Sequence, residues 1–467
     1  MSNIILVNPA YHKDIFVNSK VRSAISHGAT PLGLVSLAAP LLKAGHRVKI
    51  VDLNISRRPD LSLVNSIKEF KPQFIGITST TPLIRKVYRI AEMIKSIDKD
   101  IVVIAGGPNP SALAEEVLHE SQIDCVAKGE GDIVFKSIIE KGMDESIPNL
   151  FYKRNDEVVS SFAQDNCIDD LDALPFPSYE ILDVKKYRQP KISSRRTPTG
   201  YIETSRGCFG RCIFCNKNIH GYKVRMKSPK RVVDEMERML SLGFRELHVI
   251  DDIFTADADR AFSICEEILK RGLKFSWCPR GGVRVDCINL ELLKIMKRSG
   301  CYRVPFGVES GSQRVIGIVN KGITLRQAEE AVSLAKKAGL EAECYFMLGL
   351  PGETEQDLNE TIKFAVRLNP DYVKFAISVP FPGTQMFDMM FKKGQIRTKD
   401  WNKYNFSTPP DEIFDHDIMP TGVITRYYGI AFRRYYFRPG YVSYMLLKTV
   451  MDGTFFAHAK AFLKTKW

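Results

Sequence analysis

Short strand-like runs alternate with helical stretches along most of this chain, in two successive series. That alternation is the strongest constraint on the fold. Strands joined through helices pair in parallel, and a parallel sheet needs helices over both faces. The first series occupies residues 1–145, with strand-like runs at 4–8, 47–52, 74–78, 101–105 and 125–128. Helical patterns fall near 32–44, 60–69, 83–96 and 110–119. This predicts an α/β, doubly wound, Rossmann-like domain of the flavodoxin-like kind. Ligands of such sheets bind beyond the carboxyl ends of the strands. The loops there are small and polar, with Thr78 and Ser79, then Gly106, Gly107 and Pro108, then Gly129, Glu130 and Gly131.

Residues 146–199 combine prolines with many charges and read as an irregular connector. The second series spans 200–399. Its strands fall at 200–204, 246–250, 274–277, 303–306, 342–347 and 372–376, each followed by a helical pattern. Thr324 is a natural N-cap for a helix ending near Gly339, and Thr354 opens another in capping-box style. Six such units are fewer than a closed barrel requires. They predict a partial (β/α)6 TIM barrel, open on one side, with its active face at the strand carboxyl ends. Residues 400–467 are aromatic and basic and read as a helical C-terminal segment.

The net charge of +13 suits a basic surface or attraction to an anionic partner. No compact basic–aromatic motif stands out, so no nucleic-acid partner is expected. Met1 to Pro9 lacks a basic leader and reads as a strand, and no apolar run is long enough to span a bilayer. With the seven remaining cysteines in apolar stretches, the expected setting is a reducing cytoplasm.

Cys208, Cys212 and Cys215 form a Cys-x3-Cys-x2-Cys run directly after the first strand of the second series. Three thiolates this close can hold a 4Fe-4S cluster with one iron left open for another ligand. A structural zinc site normally needs a fourth closing ligand, for which His220 is the nearest candidate. Chance proximity of buried cysteines is the other reading. Both fit poorly with a position at the active end of a barrel strand.

The run from Thr204 to Cys215, including Phe214 before the third cysteine, resembles the signature of radical S-adenosylmethionine (SAM) enzymes. The resemblance implies that Cys208, Cys212 and Cys215 bind the cluster and that its open iron takes SAM. Reductive cleavage then yields a 5′-deoxyadenosyl radical. It also implies SAM contacts from Asp251 and Asp252 after the second strand, Arg280 or Arg284 after the third, and Glu309 after the fourth. The N-terminal domain resembles the cobalamin-binding domain of one branch of this family. Thr78, Ser79, Gly106, Gly107, Pro108, Gly129, Glu130 and Gly131 are the implied contacts. There is no Asp-x-His-x-x-Gly run to supply a histidine to cobalt, and Asn109 stands where relatives often carry histidine.

The activity implied is methylation of an unactivated carbon, with cobalamin as methyl carrier and a second SAM restoring it. Rearrangement or cyclisation without methyl transfer is the alternative within the family. A non-catalytic iron–sulfur carrier or sensor is the alternative outside it. The expected partners are a small-molecule or lipid-like substrate and reduced flavodoxin or ferredoxin as electron donor. The basic, apolar stretch 441–467 adds the expectation of peripheral contact with a membrane surface.

Overall fold

The computed structural model describes residues 1–11, 28–155, 157–163, 167–405, 408–456 and 459. The first sheet contains β1 (Asn3–Asn8), β2 (Arg47–Asp52), β3 (Phe74–Thr78), β4 (Val102–Gly106), β5 (Cys125–Ala127), β6 (Leu150–Arg154) and β7 (Glu157–Ser160). Their spatial order is β2-β1-β3-β4-β5-β6-β7. The first five are parallel, and Ile4 to Val7 of β1 are fully buried between the helical layers. Chain order reverses between β1 and β3, which opens the ligand crevice of such a sheet at the carboxyl ends.

Two features depart from the sequence reading. The span 146–199 holds β6 and β7, which add antiparallel to β5 and widen the first sheet. Both strands are short, and their charged residues, Lys153, Arg154 and Glu157, blend into the charged stretch around them. The helix expected over 110–119 is split into Pro108–Ala112 and Ala114–His119, and a further helix, Gly131–Lys141, begins inside the third glycine loop.

The barrel begins with β8 (Thr199–Ile202). A small ribbon follows, in which β9 (Ser205–Arg206) pairs antiparallel with β10 (Arg225–Met226). Then come β11 (Glu246–Val249), β12 (Ser276–Pro279), β13 (Arg303–Glu309), β14 (Glu341–Leu348) and β15 (Tyr372–Ile377). They form two parallel halves, β12-β11-β8 and β13-β14-β15. The halves meet at a seam where Trp277 bridges to Cys301 and Val283 to Phe306. Pro305 accepts from Val283 N on that side but has no N–H to return, so the ladder stays incomplete there. Thr354 forms the expected capping box with Asp357, and the N-cap expected at Thr324 is also a full capping box, with Gln327.

The two units share an apolar core. Ile77 and Val117 of the first belong to the same buried cluster as Ile213, Leu350, Phe387 and Trp401. Trp401 also donates from its indole nitrogen to Glu116. The open edge of the barrel is blunted by Tyr436, whose hydroxyl accepts from Val373 N at 3.1 Å. The two C-terminal helices, Thr421–Tyr436 and Pro439–Met451, pack along this side. The second leaves Leu446, Leu447 and Val450 exposed. Of the segment expected to meet a membrane, 457–458 and 460–467 lie outside the described residues. Among the described residues no helix is long and apolar enough to cross a membrane.

Candidate functional site

The β9–β10 ribbon pinches the base of the cysteine loop, so residues 207–224 project over the carboxyl end of the barrel. Ile213 pins the loop from within. It is buried, donates its N–H to Val319 O at 3.1 Å and accepts from Met386 N at 2.8 Å. Phe214 is partly buried and packs against the apolar cluster that joins the two units.

Cys208, Cys212 and Cys215 stay half-buried around Gly210. Gly210 N donates to Cys208 Sγ at 3.4 Å. A Cβ on Gly210 would stand 3.3 Å from Cys208 Sγ and 3.8 Å from Cys212 Sγ, so the absent side chain leaves a cradle between two thiols. Among the described residues no three His, Cys, Asp or Glu groups converge on a single ion position. A cubane needs a wider spread, because each thiolate ligates a different iron. Three soft donors on one loop, with a cradle between them, fit such a cluster.

The rim of the loop carries charge. Burial pulls the Lys217 ammonium down, but Cys215 and Cys208 outweigh it and hold its pKa above the ordinary value. Arg284 lies 5.2 Å over the Phe209 ring, donates to Lys321 O at 3.2 Å and forms an ion pair with Asp286 at 2.8 Å. Lys321 meets Glu309 at 2.8 Å. Glu309 sits at φ +68°, a left-handed conformation that a glutamate adopts only at a cost of about 1–3 kcal/mol, and such outliers cluster at functional sites. The register of β13 against β14 shifts between Gly307 and Glu309, which turns the glutamate toward the loop.

Three sequence candidates sit elsewhere. Asp251 is buried, and its carboxylate accepts from Thr204 N at 2.6 Å, the Thr204 hydroxyl and Ser205 Oγ at 2.7 Å. It is spent on anchoring the segment before the cysteines. Arg280 turns into the lumen and pairs with Glu343 at 3.2 Å, away from the thiols. Glu130 is fully buried, but not in the first unit's crevice. It takes Arg225 at 2.5 Å, Arg206 at 3.1 Å and His220 at 3.1 Å. Burial pushes the Glu130 carboxyl up, yet these partners outweigh it and hold it well below its usual range. Arg206 adds Asp132 at 2.9 Å and Glu203 at 2.6 Å. The third glycine loop is thereby bolted to the ribbon under the cysteines. Asp252, by contrast, is exposed beside the loop and accepts from Gly207 N at 3.0 Å.

At the carboxyl ends of β3 and β4 the remaining candidates knit together. Ser79 N donates to Gly106 O at 2.9 Å. Gly107 holds φ +96°, with Ser79 O and Thr78 Oγ1 each 3.0 Å from where a Cβ would stand. Gly129 N donates to Ser111 Oγ at 3.0 Å. Beside them lies Asn109, 1% exposed, with neither amide atom hydrogen-bonded among the described residues. A buried amide normally finds a partner, so this one fits a site completed by a polar ligand. The corrin ring of cobalamin carries peripheral amides of matching chemistry.

Sequence reasoning missed Lys217, Lys321 and the Arg206–Glu130–Arg225 hub. The basic residues flanking the cysteines were visible as charges, but nothing local marks their partners.

A B12 binding domain model matches residues 20–139, and a radical SAM superfamily model matches residues 202–365. An uncharacterised methyltransferase of Pyrococcus horikoshii is 34% identical over 428 residues, covering 90% of this chain and 91% of that protein. An anaerobic magnesium-protoporphyrin IX monomethyl ester cyclase of Rubrivivax gelatinosus is 29% identical over 477 residues, covering 99% of this chain and 82% of its own length. The cobalamin-dependent SAM radical enzyme OxsB, solved with aquacobalamin and SAM bound, shares the fold. It superposes with a TM-score of 0.77 at 18% identity, over 99% of this chain and 72% of OxsB. The chain belongs to the cobalamin-binding radical SAM enzymes, whose cofactors are a 4Fe-4S cluster, SAM and cobalamin.

Proposed function

We propose that this chain methylates an unactivated carbon of a small molecule. Bound together, the three cofactors supply a 5′-deoxyadenosyl radical and a transferable methyl group. The protein supplies position. Cys208, Cys212 and Cys215 hold the cluster around Gly210. Glu309 accepts the ammonium of SAM, while Arg284 and Lys321 take its carboxylate. Thr78, Ser79, Gly106, Gly107, Pro108 and Asn109 receive cobalamin at the first sheet's crevice. Reduced flavodoxin or ferredoxin would supply the electron to the cluster that Cys208, Cys212 and Cys215 would hold.

The observation that carries this reading is the opposed pair of charges on the loop rim. Glu309 and Lys321 at 2.8 Å, with Arg284 beside them, match the two ends of an amino acid. Anaerobic assay of the reconstituted protein tests it. Cobalamin should copurify or reconstitute, and a product heavier by one CH2 should form from a candidate substrate. Absence of bound cobalamin, and of any methylated product across candidate substrates, defeats the proposal. A second reading, ring closure without methyl transfer, is favoured by the cyclase relative. A product with no added CH2 selects it.

A further inference from the structure

A network of ion pairs runs from the barrel lumen out to the connector before the barrel and to the second C-terminal helix. On β15, Val373, Phe375 and Ile377 are buried, and Phe375 stacks on Phe346 and meets Phe432 edge-on. Lys374 therefore faces inward. It meets Glu343 at 2.9 Å and lies 5.0 Å over the Tyr345 ring. Glu343 also takes Arg280 at 3.2 Å and Arg303 at 3.6 Å. Arg303 pairs with Glu341 at 2.9 Å, and Glu341 takes Arg195 and Lys448 at 3.0 Å each. Lys448 closes on Asp371 at 3.1 Å. Across this network five cations, including Arg195 of the connector and Lys448 of the second C-terminal helix, face three carboxylates. Glu246 is a fourth carboxylate nearby. Its partner His248, at 2.7 Å, is held below its ordinary pKa by burial and stays neutral. Five cations still exceed four carboxylates.

The lumen is open beside Lys374. Outward residues such as Leu247, Val304 and Phe306 are fully buried. The inward Tyr201, Ile250, Arg280, Tyr345 and Met347 are only half-buried, and the Lys374 side chain is 58% exposed. His248 Nδ1, on the same inner face, has no hydrogen-bond partner among the described residues. Around Glu343, burial pushes the carboxyl up, but Lys374, Arg303 and Arg280 outweigh it and hold it below its ordinary value. Three cations, Lys374, Arg303 and Arg280, converge on the single carboxylate of Glu343, and a cleft lined by excess positive charge draws in an anion.

Building on the function proposed above, we infer that the lumen receives an anionic group of the substrate, a carboxylate or a phosphate ester, between Lys374 and Arg280. Anchored there, the rest of the substrate extends up the lumen toward the cysteine loop.

The test uses full-length, cluster- and cobalamin-reconstituted protein under anaerobic conditions. Thermal unfolding is followed while inorganic phosphate or acetate replaces chloride at fixed ionic strength. An anion that binds only the folded protein raises the melting temperature. The rise should appear in wild type, in Lys374→Arg and in a surface control, Lys294→Met, and vanish in Lys374→Met. Phosphate acting more strongly assigns a phosphate ester, and acetate a carboxylate. No rise in wild type, or an equal rise in Lys374→Met, overturns the inference. Cobalamin content and 5′-deoxyadenosine release are measured on the same samples. Their absence beside an intact anion response would sink the function and leave the anion site standing.

Discussion

Glu353 offers a test of how this fold manages a buried charge. It lies in the loop after β14, fully buried, and one carboxylate oxygen accepts from Gly349 N at 2.6 Å and Leu350 N at 3.1 Å. The other oxygen has no partner among the described residues. Burial pushes this carboxyl up to about 8, against an ordinary value of 4.5. The sign follows from linkage. The folded chain holds this proton more tightly than the unfolded one, so the stabilisation is complete below about pH 4.5 and is lost as pH rises toward 8. At about 1.4 kcal/mol per pH unit, local stability should fall by about 2 kcal/mol between about pH 6 and about pH 8. Glu353→Gln keeps the acceptor for Gly349 and Leu350 and removes the titration. Native-state hydrogen exchange of the loop peptide is the assay, because a two-unit chain rarely unfolds in one step. Protection in the variant relative to wild type should grow by about 30-fold from the lower to the higher pH. A ratio that stays flat with pH, or moves the other way, refutes the reasoning.

Three further outcomes are expected. Gly210→Ala places a methyl within 3.3 Å of Cys208 Sγ. It should cost about 1–3 kcal/mol of overpacking and lower cluster occupancy, read as bound iron and sulfide. Glu130→Gln leaves Arg206 and Arg225 buried with one counter-charge fewer. It should destabilise the protein by about 3 kcal/mol and loosen the cysteine loop, seen as a lower melting temperature and poorer iron retention. Because that carboxyl sits below its ordinary value, its contribution should be present above the unfolded pKa and fade as pH falls. Glu309→Gln should weaken SAM binding by about tenfold or more while leaving the cluster intact, checked by calorimetry beside an iron assay.

Much of the architecture was legible in the chain itself. Both strand–helix series, their order and the position of the cysteine run follow from patterns confined to a few residues. Short continuous runs of Ile and Val, helical periodicity and caps such as Thr324 and Thr354 act locally, so a linear reading recovers them. Strands as short and as charged as β6 and β7 carry too few apolar residues to stand out in the sequence. The family signature was legible for the same reason, since its three thiols lie within one loop.

What the sequence by itself determined, then, is a doubly wound sheet, a six-strand open barrel and a cysteine loop at its active end. Only the tertiary structure decided what the charged residues do. Asp251 and Arg280 stand at the strand ends where SAM contacts were expected, yet their side chains turn to Thr204 and to Glu343. Glu130 leaves its glycine loop to meet Arg225, a partner 95 positions away. A buried charge goes to whichever opposite charge the packing brings within reach, because leaving it alone costs several kcal/mol. That partner is set by how the elements stack, and no local pattern records it.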